Sequence, residues 1–312
     1  SIKNIQIYKG GTDHESAYGG GIYLTRSSQV VLDNIEVKQC SASNSKGGGI
    51  YISNSENEVQ INNSAIHFNG AISGAGLYIA NSPNITINNS IINDNQNILV
   101  NAENKGAGVY INGSNITILN SSFRGNQALT APAIFARSAQ VKLSNVLVSG
   151  NYFTFTDEGA TQTYPGGAIY STDSDLSIIN CTISANSFEE NYEDGYGNSG
   201  ALYLINNSDT KTSIVNTILW GNMGDEIKLL GDNSVDILYS IIEGNIPEPI
   251  LSDDITQTFN SDFDEDYNEY IYFENPNFID PITWEANPQI GGDFHLSESS
   301  LYAIDRGTTN IP

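Results

Sequence analysis

A short motif returns along this chain at intervals of roughly 25 to 35 residues, a period that means stacked repeats rather than a single globular core. Each unit opens with a small-residue turn and a three-residue strand: Gly21-Ile22-Tyr23-Leu24, Gly49-Ile50-Tyr51-Ile52, Gly76-Leu77-Tyr78-Ile79, Gly108-Val109-Tyr110-Ile111, Ala133-Ile134-Phe135-Ala136, Ala168-Ile169-Tyr170-Ser171 and Ala201-Leu202-Tyr203-Leu204. Ile227-Lys228-Leu229 is a degenerate further copy. A second strand follows, as in Val59-Gln60-Ile61, Ile85-Thr86-Ile87, Ile116-Thr117-Ile118 and Val141-Lys142-Leu143. Next come an Asn (Asn34, Asn63, Asn89, Asn120, Asn145, Asn180, Asn216) and a third strand that usually ends in another (Asn69, Asn95, Asn126, Asn151, Asn186, Asn222, Asn245).

Three short strands per repeat with no helical period between them predict an all-β chain, a right-handed parallel β-helix of about eight coils spanning residues 1–245. Asn fits the corners because it tolerates left-handed backbone and stacks its amide on the Asn one coil away. Gly before the first strand is expected to meet a similar need for unusual backbone angles. Triplets such as Asn84-Ile85-Thr86 match the N-glycosylation pattern, but the repeat itself demands those residues there. From about Ile246 the repeat gives way to a Pro- and Asp-rich stretch, so residues 246–312 are expected to form an irregular cap on the last coil.

With 36 acidic against 12 basic residues, the net charge of −24 argues against nucleic acid and against an anionic membrane surface. Such acidity fits a secreted protein kept soluble by its charge, one from a saline habitat, or one that binds Ca2+. No stretch reaches the roughly 18 apolar residues of a membrane helix. Cys40 and Cys181 should lie five coils apart, on the order of 24 Å, too far for a disulfide. Asn4-Ile5-Gln6-Ile7 matches the tail of a coil, so the chain is expected to be a fragment of a longer protein.

The Gly-Gly-x-Ile-Tyr turn-strand paired with a downstream Phe123-Arg124-Gly125-Asn126 resembles the repeats of chlamydial polymorphic outer membrane proteins. The C-terminal third is similar to bacterial choice-of-anchor Q β-helix proteins. It shares Thr217-Ile218-Leu219-Trp220-Gly221-Asn222, Asn277-Phe278-Ile279-Asp280-Pro281, Gly292-Asp293-Phe294-His295-Leu296 and Tyr302-Ala303-Ile304-Asp305-Arg306-Gly307. Together the two cover most of the chain. They imply a large exported bacterial protein, secreted or held at the outer surface, and bring no catalytic residues with them. The stretch from Ile246 to Glu274 looks like an insertion relative to that pattern.

If Ile22 and Leu24 point inward, alternation turns Tyr23 outward, and with it Tyr51, Tyr78, Tyr110, Phe135, Tyr170 and Tyr203. This file of rings, about 5 Å apart, is either a platform for an extended glycan or a brace for the outer wall. Acidic residues in the longest loops, Asp157, Glu158, Glu190 and Glu193, should border it; they are a second set of ligand-binding candidates or solvated acids. A lyase would need a base such as Lys38, Lys105, Arg124 or Arg137 together with a cation. A hydrolase would need two carboxylates about 5 to 9.5 Å apart. The histidines, His14, His67 and His295, share no metal-ligand spacing. Asp262, Asp264 and Asp266 lack the Gly and the closing Glu of an EF-hand, leaving a looser Ca2+ site as the candidate.

The preferred reading is an adhesin or carbohydrate-binding module contacting an extended glycan or host-surface ligand. A polysaccharide lyase or hydrolase in the same groove, and a structural stalk, are the alternatives.

Overall fold

The computed structural model describes residues 1–14, 17–98, 104–154, 166–189, 199–206, 209–231, 234–244, 258–259, 271–272, 275–283, 288–297 and 299–300. They form a parallel β-solenoid with no helix among them. Its first sheet has one strand from each of eight coils: Ile22–Thr25, Ile50–Ser53, Leu77–Ala80, Val109–Asn112, Ile134–Arg137, Ile169–Thr172, Ser199–Asn206 and Asp225–Gly231. We number the coils 1 to 8 by these strands. A partial coil built of Ile2–Tyr8 and Gly11–Thr12 precedes them.

The second sheet takes two strands from most coils, such as Ile85–Asn88 and Ile91–Asn93 in coil 3, with a bend between them at Asn89. The bend is a left-handed residue in every coil: Asn34, Asn63, Asn89, Asn120, Asn145, Asn180 and Asn216 in coils 1 to 7 and Tyr239 in coil 8 all have φ between 47° and 56°. Asn supports this conformation better than other side-chain-bearing residues do. A third sheet of short strands, Gly70–Ser73 and Gln127–Ala128 among them, completes the coil as far as coil 6.

Pairing between coils is in register, Tyr78 against Tyr51 and Tyr110, and Thr117 against Thr86 and Lys142. Equivalent residues therefore stack, at about 4.8 Å per coil. Inward positions form one continuous aliphatic core, including Ile50, Ile52, Leu77, Ile79, Ile85, Ile87, Val109 and Ile111, all with almost no exposure. Cys40 and Cys181 are buried, free thiols in that wall.

Both sets of Asn bond from coil to coil. The bend Asn supplies left-handed backbone and, at the surface, an amide bond to the coil before it, as Asn89 Nδ2 to Asn63 Oδ1 at 2.7 Å and Asn145 Nδ2 to Asn120 Oδ1 at 2.8 Å. The Asn that ends the third strand is buried and forms a second ladder: Asn69, Asn95, Asn126, Asn151, Asn186 and Asn222 each donate Nδ2 to an acceptor one coil on, at 2.6 to 3.0 Å. A different residue, the one just before it, holds the left-handed φ: Phe68, Asp94, Gly125, Gly150, Ala185 or Gly221.

The glycines that open the first strand also differ from expectation. Gly49 and Gly76 do not have positive φ; the left-handed residues there are Gly47 and Gly74. What Gly49 and Gly76 provide is room, because a Cβ on either would lie 2.6 Å from a carbonyl oxygen of the next coil.

Past residue 245 the solenoid continues further than the sequence suggests. Thr258–Phe259 and Ile271–Tyr272 add parallel strands to the second sheet beside Ser234–Leu238 and Ser240–Ile242. Phe278–Asp280 and Asp293–Leu296 then pair as an antiparallel hairpin. This end of the chain folds back along the flank: the Gln289 N–H donates to the Gly150 carbonyl, in coil 5, at 2.8 Å.

Candidate functional site

The aromatic file exists, as alternation requires. From Tyr23 through Tyr51, Tyr78, Tyr110, Phe135 and Tyr170 to Tyr203, consecutive rings stack at 4.7 to 5.4 Å between centroids, with planes within 17° of parallel. Such offset stacking stabilises each pair beyond simple burial. The file is less open than outward alternation alone would leave it. Only Tyr23 is half exposed, at 50%; Tyr51, Tyr110 and Tyr170 are partly covered, and Tyr78, Phe135 and Tyr203 are buried.

The covering comes from the connections that enter each coil. Lys46 and Lys105 lie over the rings of Tyr78 and Phe135, and the backbone at Gly47 and Gly106 runs so close that a Cβ there would meet the Cβ of Tyr51 or Phe135 at 2.8 to 3.0 Å. Burial pushes the Tyr170 phenol up to about 12, and the nearby Asp173 charge adds to the shift. The file is thus a spine along the wall, open at Tyr18 and Tyr23 beside Tyr51. Phe135→Leu should lower stability by about 1 kcal/mol through loss of two stacked neighbours, measurable by urea denaturation. A loss of ligand binding without a loss of stability would contradict the role as a spine.

The broad accessible face lies on the second sheet. A trough of about 590 Å³ crosses coils 2 to 7, from Glu58 to Lys211 and Ser213. Its floor is the outward file Thr86, Thr117, Lys142, Ser177 and Ser213, paired in register, so that one hydroxyl or ammonium recurs per coil. One rim carries Asn84, Asn115, Gln140 and Asp175. Over six coils this extends roughly 24 Å. Two further hollows involve the C-terminal hairpin. One, of about 750 Å³, runs along the bend asparagines Asn89, Asn120 and Asn145 to Phe294 and His295. The other, of about 590 Å³, lies between Trp220, Glu243 and Phe278.

Architecture and sequence agree on kinship. Residues 1–183 match the family model for the right handed beta helix region. The chain belongs to the right-handed beta-helix family. No curated protein matches it.

In this β-helix the basic residues considered as catalytic bases are placed as follows. Lys38 Nζ pairs with Glu36 at 2.9 Å, Lys105 covers Phe135, and Arg137 is exposed at the end of its first-sheet strand. The Arg124 guanidinium donates to the carbonyls of Gly291 and Gly292 and stacks on Phe294. His67 meets Glu36 at 2.9 Å, and His295 meets Asp293 at 2.5 Å. Hydrogen bonds from Lys38 and Gln6 hold the Glu36 carboxyl down to about 2. Asp157, Glu158, Glu190, Glu193, Asp262, Asp264 and Asp266 lie outside the described residues. Among the described residues, no three His, Cys, Asp or Glu side chains gather as a metal site.

Two features of the β-helix wall escape a reading of the repeat. Serines one coil apart pass hydrogen bonds along the stack, Ile35 N to Ser64, Ser64 N to Ser90 and Ser90 N to Ser121, at 3.0 to 3.2 Å. Their signal is the Ser that directly follows Asn63, Asn89 and Asn120. At the far end of the buried asparagine ladder stands Glu226. Its carboxyl group accepts the Asn222 backbone N–H on Oε1 at 3.2 Å and Asn222 Nδ2 on Oε2 at 2.6 Å, taking the place of the next amide. Burial pushes its carboxyl up to about 8, against those two bonds and with the charges of Glu243 and Asp225 in the same direction.

Proposed function

We propose that the chain is a non-catalytic module of an exported, surface-displayed protein, an adhesin or carbohydrate-binding solenoid that holds an extended glycan along the second-sheet trough. The observation that carries this reading is the trough's repeat: a donor or acceptor side chain at each strand spacing, in register over five coils. A small molecule needs most of its surface enclosed to bind well, and an open trough gives it little. A polymer touched at many points along its length sums weak contacts instead.

The lining favours hydroxyl-rich guests. Thr117, Ser177, Ser213, Asn115 and Gln140 offer both donors and acceptors, and Lys142 and Lys211 add positive charge within a chain of net charge −24. The strongly shifted titrations at Glu226, Cys181 and Tyr170 belong to the wall and lie away from this floor. A structural stalk is the second reading, favoured by the continuous Asn, Ser and Tyr stacks that stiffen the wall.

The deciding experiment is a glycan array probed with and without Ca2+, followed by incubation of each hit and analysis for new reducing ends or unsaturated products. Binding of extended glycans without product is the expected result. Product formation would overturn the non-catalytic reading, and absence of binding in both conditions would leave the stalk. Dependence on Ca2+ would place the cation at the interface.

A further inference from the structure

Every coil from 2 to 7 has a left-handed residue just before its buried Asn, and the side chain there varies freely: Phe68, Asp94 and Ala185 hold φ of 51° to 56° without being Gly. Backbone geometry alone therefore does not demand Gly at this corner. At Gly221 a Cβ would meet nothing nearer than 3.6 Å, and at Gly244, in coil 8, nothing within 4 Å.

Gly125 and Gly150, in coils 4 and 5, are different. A Cβ on Gly150 would lie 2.2 Å from the Gln289 carbonyl oxygen, and its three nearest atoms all belong to Gln289. A Cβ on Gly125 would lie 2.7 Å from Ile290 Cγ2 and 2.8 Å from Asp94 Oδ1. Beside them, the Gly150 carbonyl accepts from the Gln289 N–H, and Arg124 donates to the Gly291 and Gly292 carbonyls. Arg124 Nε is held by Ser149 Oγ at 3.2 Å, and its guanidinium stacks on Phe294. Two bare corners, a backbone hydrogen bond and one fork of donors thus converge on four consecutive residues.

We propose that the flank of coils 4 and 5 is a docking surface whose occupant is the chain's own segment Gln289–Gly292, and that this segment staples the C-terminal coils to the middle of the solenoid. The hairpin reaches this surface from beyond coil 8, so the staple spans coils 6 to 8. A stack in which each coil touches only its neighbours frays from its ends. The staple makes loss of the end coils require release of a contact three coils away. It also holds the hairpin beside Trp220 and Glu243, as one wall of the hollow there.

The test uses the full chain with Gly150→Asn, since Asn keeps the left-handed corner and adds only the blocking side chain. Gly221→Asn and Gly244→Asn are controls at corners that touch no strap, and Arg124→Ala removes the fork without altering a corner. Limited proteolysis within residues 275–297 should quicken on the order of tenfold for Gly150→Asn and for Arg124→Ala, with the controls unchanged. Hydrogen exchange in the strands of coils 7 and 8 should rise in the same two variants. Cleavage of Gly150→Asn at the control rate would overturn the docking, and faster cleavage with unchanged exchange in coils 7 and 8 would overturn the staple.

Discussion

Asn126→Leu is expected to cost about 4 kcal/mol of stability, or to prevent folding, because several buried groups lose their partners at once. Asn126 Nδ2 donates to the Ile92 carbonyl and to Asn151 Oδ1, each at 3.0 Å, while its Oδ1 accepts from both the backbone N–H and Nδ2 of Asn95. Leu matches the amide in size and supplies none of these bonds. The Asn95 donors and the Ile92 carbonyl then remain dry and unpaired in a wall with no exposure. The neighbouring bend residue is the comparison. Asn120 bonds Asn88 and Asn145 but is exposed, so water replaces those bonds, and Asn120→Ala should cost only about 1 kcal/mol, mostly the penalty of holding Ala in left-handed backbone. Urea denaturation of both variants measures the contrast. Equal losses would mean that the buried ladder adds nothing beyond the corner geometry.

Stability should also fall by as much as about 4 kcal/mol as pH rises from about 4.5 to 8, through Glu226 alone. The sign follows from its raised value. Between its ordinary 4.5 and about 8, the folded protein keeps this proton while the unfolded chain has released it. The folded state therefore binds more protons, and its advantage shrinks with rising pH until both states are ionised. Glu226→Gln removes the titration; the two Asn222 donors reach separate oxygens of Glu226, so the amide must turn its single oxygen to both, as each Asn Oδ1 does elsewhere in the ladder. The variant should match the wild type below pH 4.5 and exceed it at pH 8 and above. Chemical denaturation of both across pH 4 to 9 decides the matter. Parallel curves would contradict a proton held by Glu226.

On the acid side the trend reverses. Glu36, held at about 2, contributes stability that is present above pH 4.5 and lost as pH falls toward 2.

The fold was legible because the repeat writes each strand several times. Inward aliphatics such as Ile50 and Ile52 and the corner asparagines carry their meaning in spacing alone. Exposure was not legible. Alternation turns Tyr78, Phe135 and Tyr203 away from the aliphatic core, but whether an outward ring meets water depends on the loops that cross it, and these vary in length and composition from coil to coil. The same limit hid the trough, whose floor residues Thr86, Thr117, Lys142, Ser177 and Ser213 do not keep one residue type from coil to coil. Their identity as one surface comes from register. Gly125 and Gly150 look like their counterparts Gly221 and Gly244, and only the return of Gln289 and Ile290 sets them apart. Long-range contacts of that kind leave no local periodicity to read.

The most direct test of the trough is the affinity of the chain for an array-positive glycan after Thr117→Glu and Ser177→Glu are combined, measured beside Tyr23→Ala. Both variants alter exposed or partly exposed wall positions and should keep the fold, with stability within about 0.5 kcal/mol for each change to Glu and about 1 kcal/mol lower for Tyr23→Ala, which loses its stack on Tyr51. Loss of affinity by at least about tenfold in the double variant, equivalent to about 1.4 kcal/mol of binding, with Tyr23→Ala unchanged, is the predicted result. Unchanged binding in the double variant and loss in Tyr23→Ala would move the site back to the open end of the aromatic file and contradict the trough.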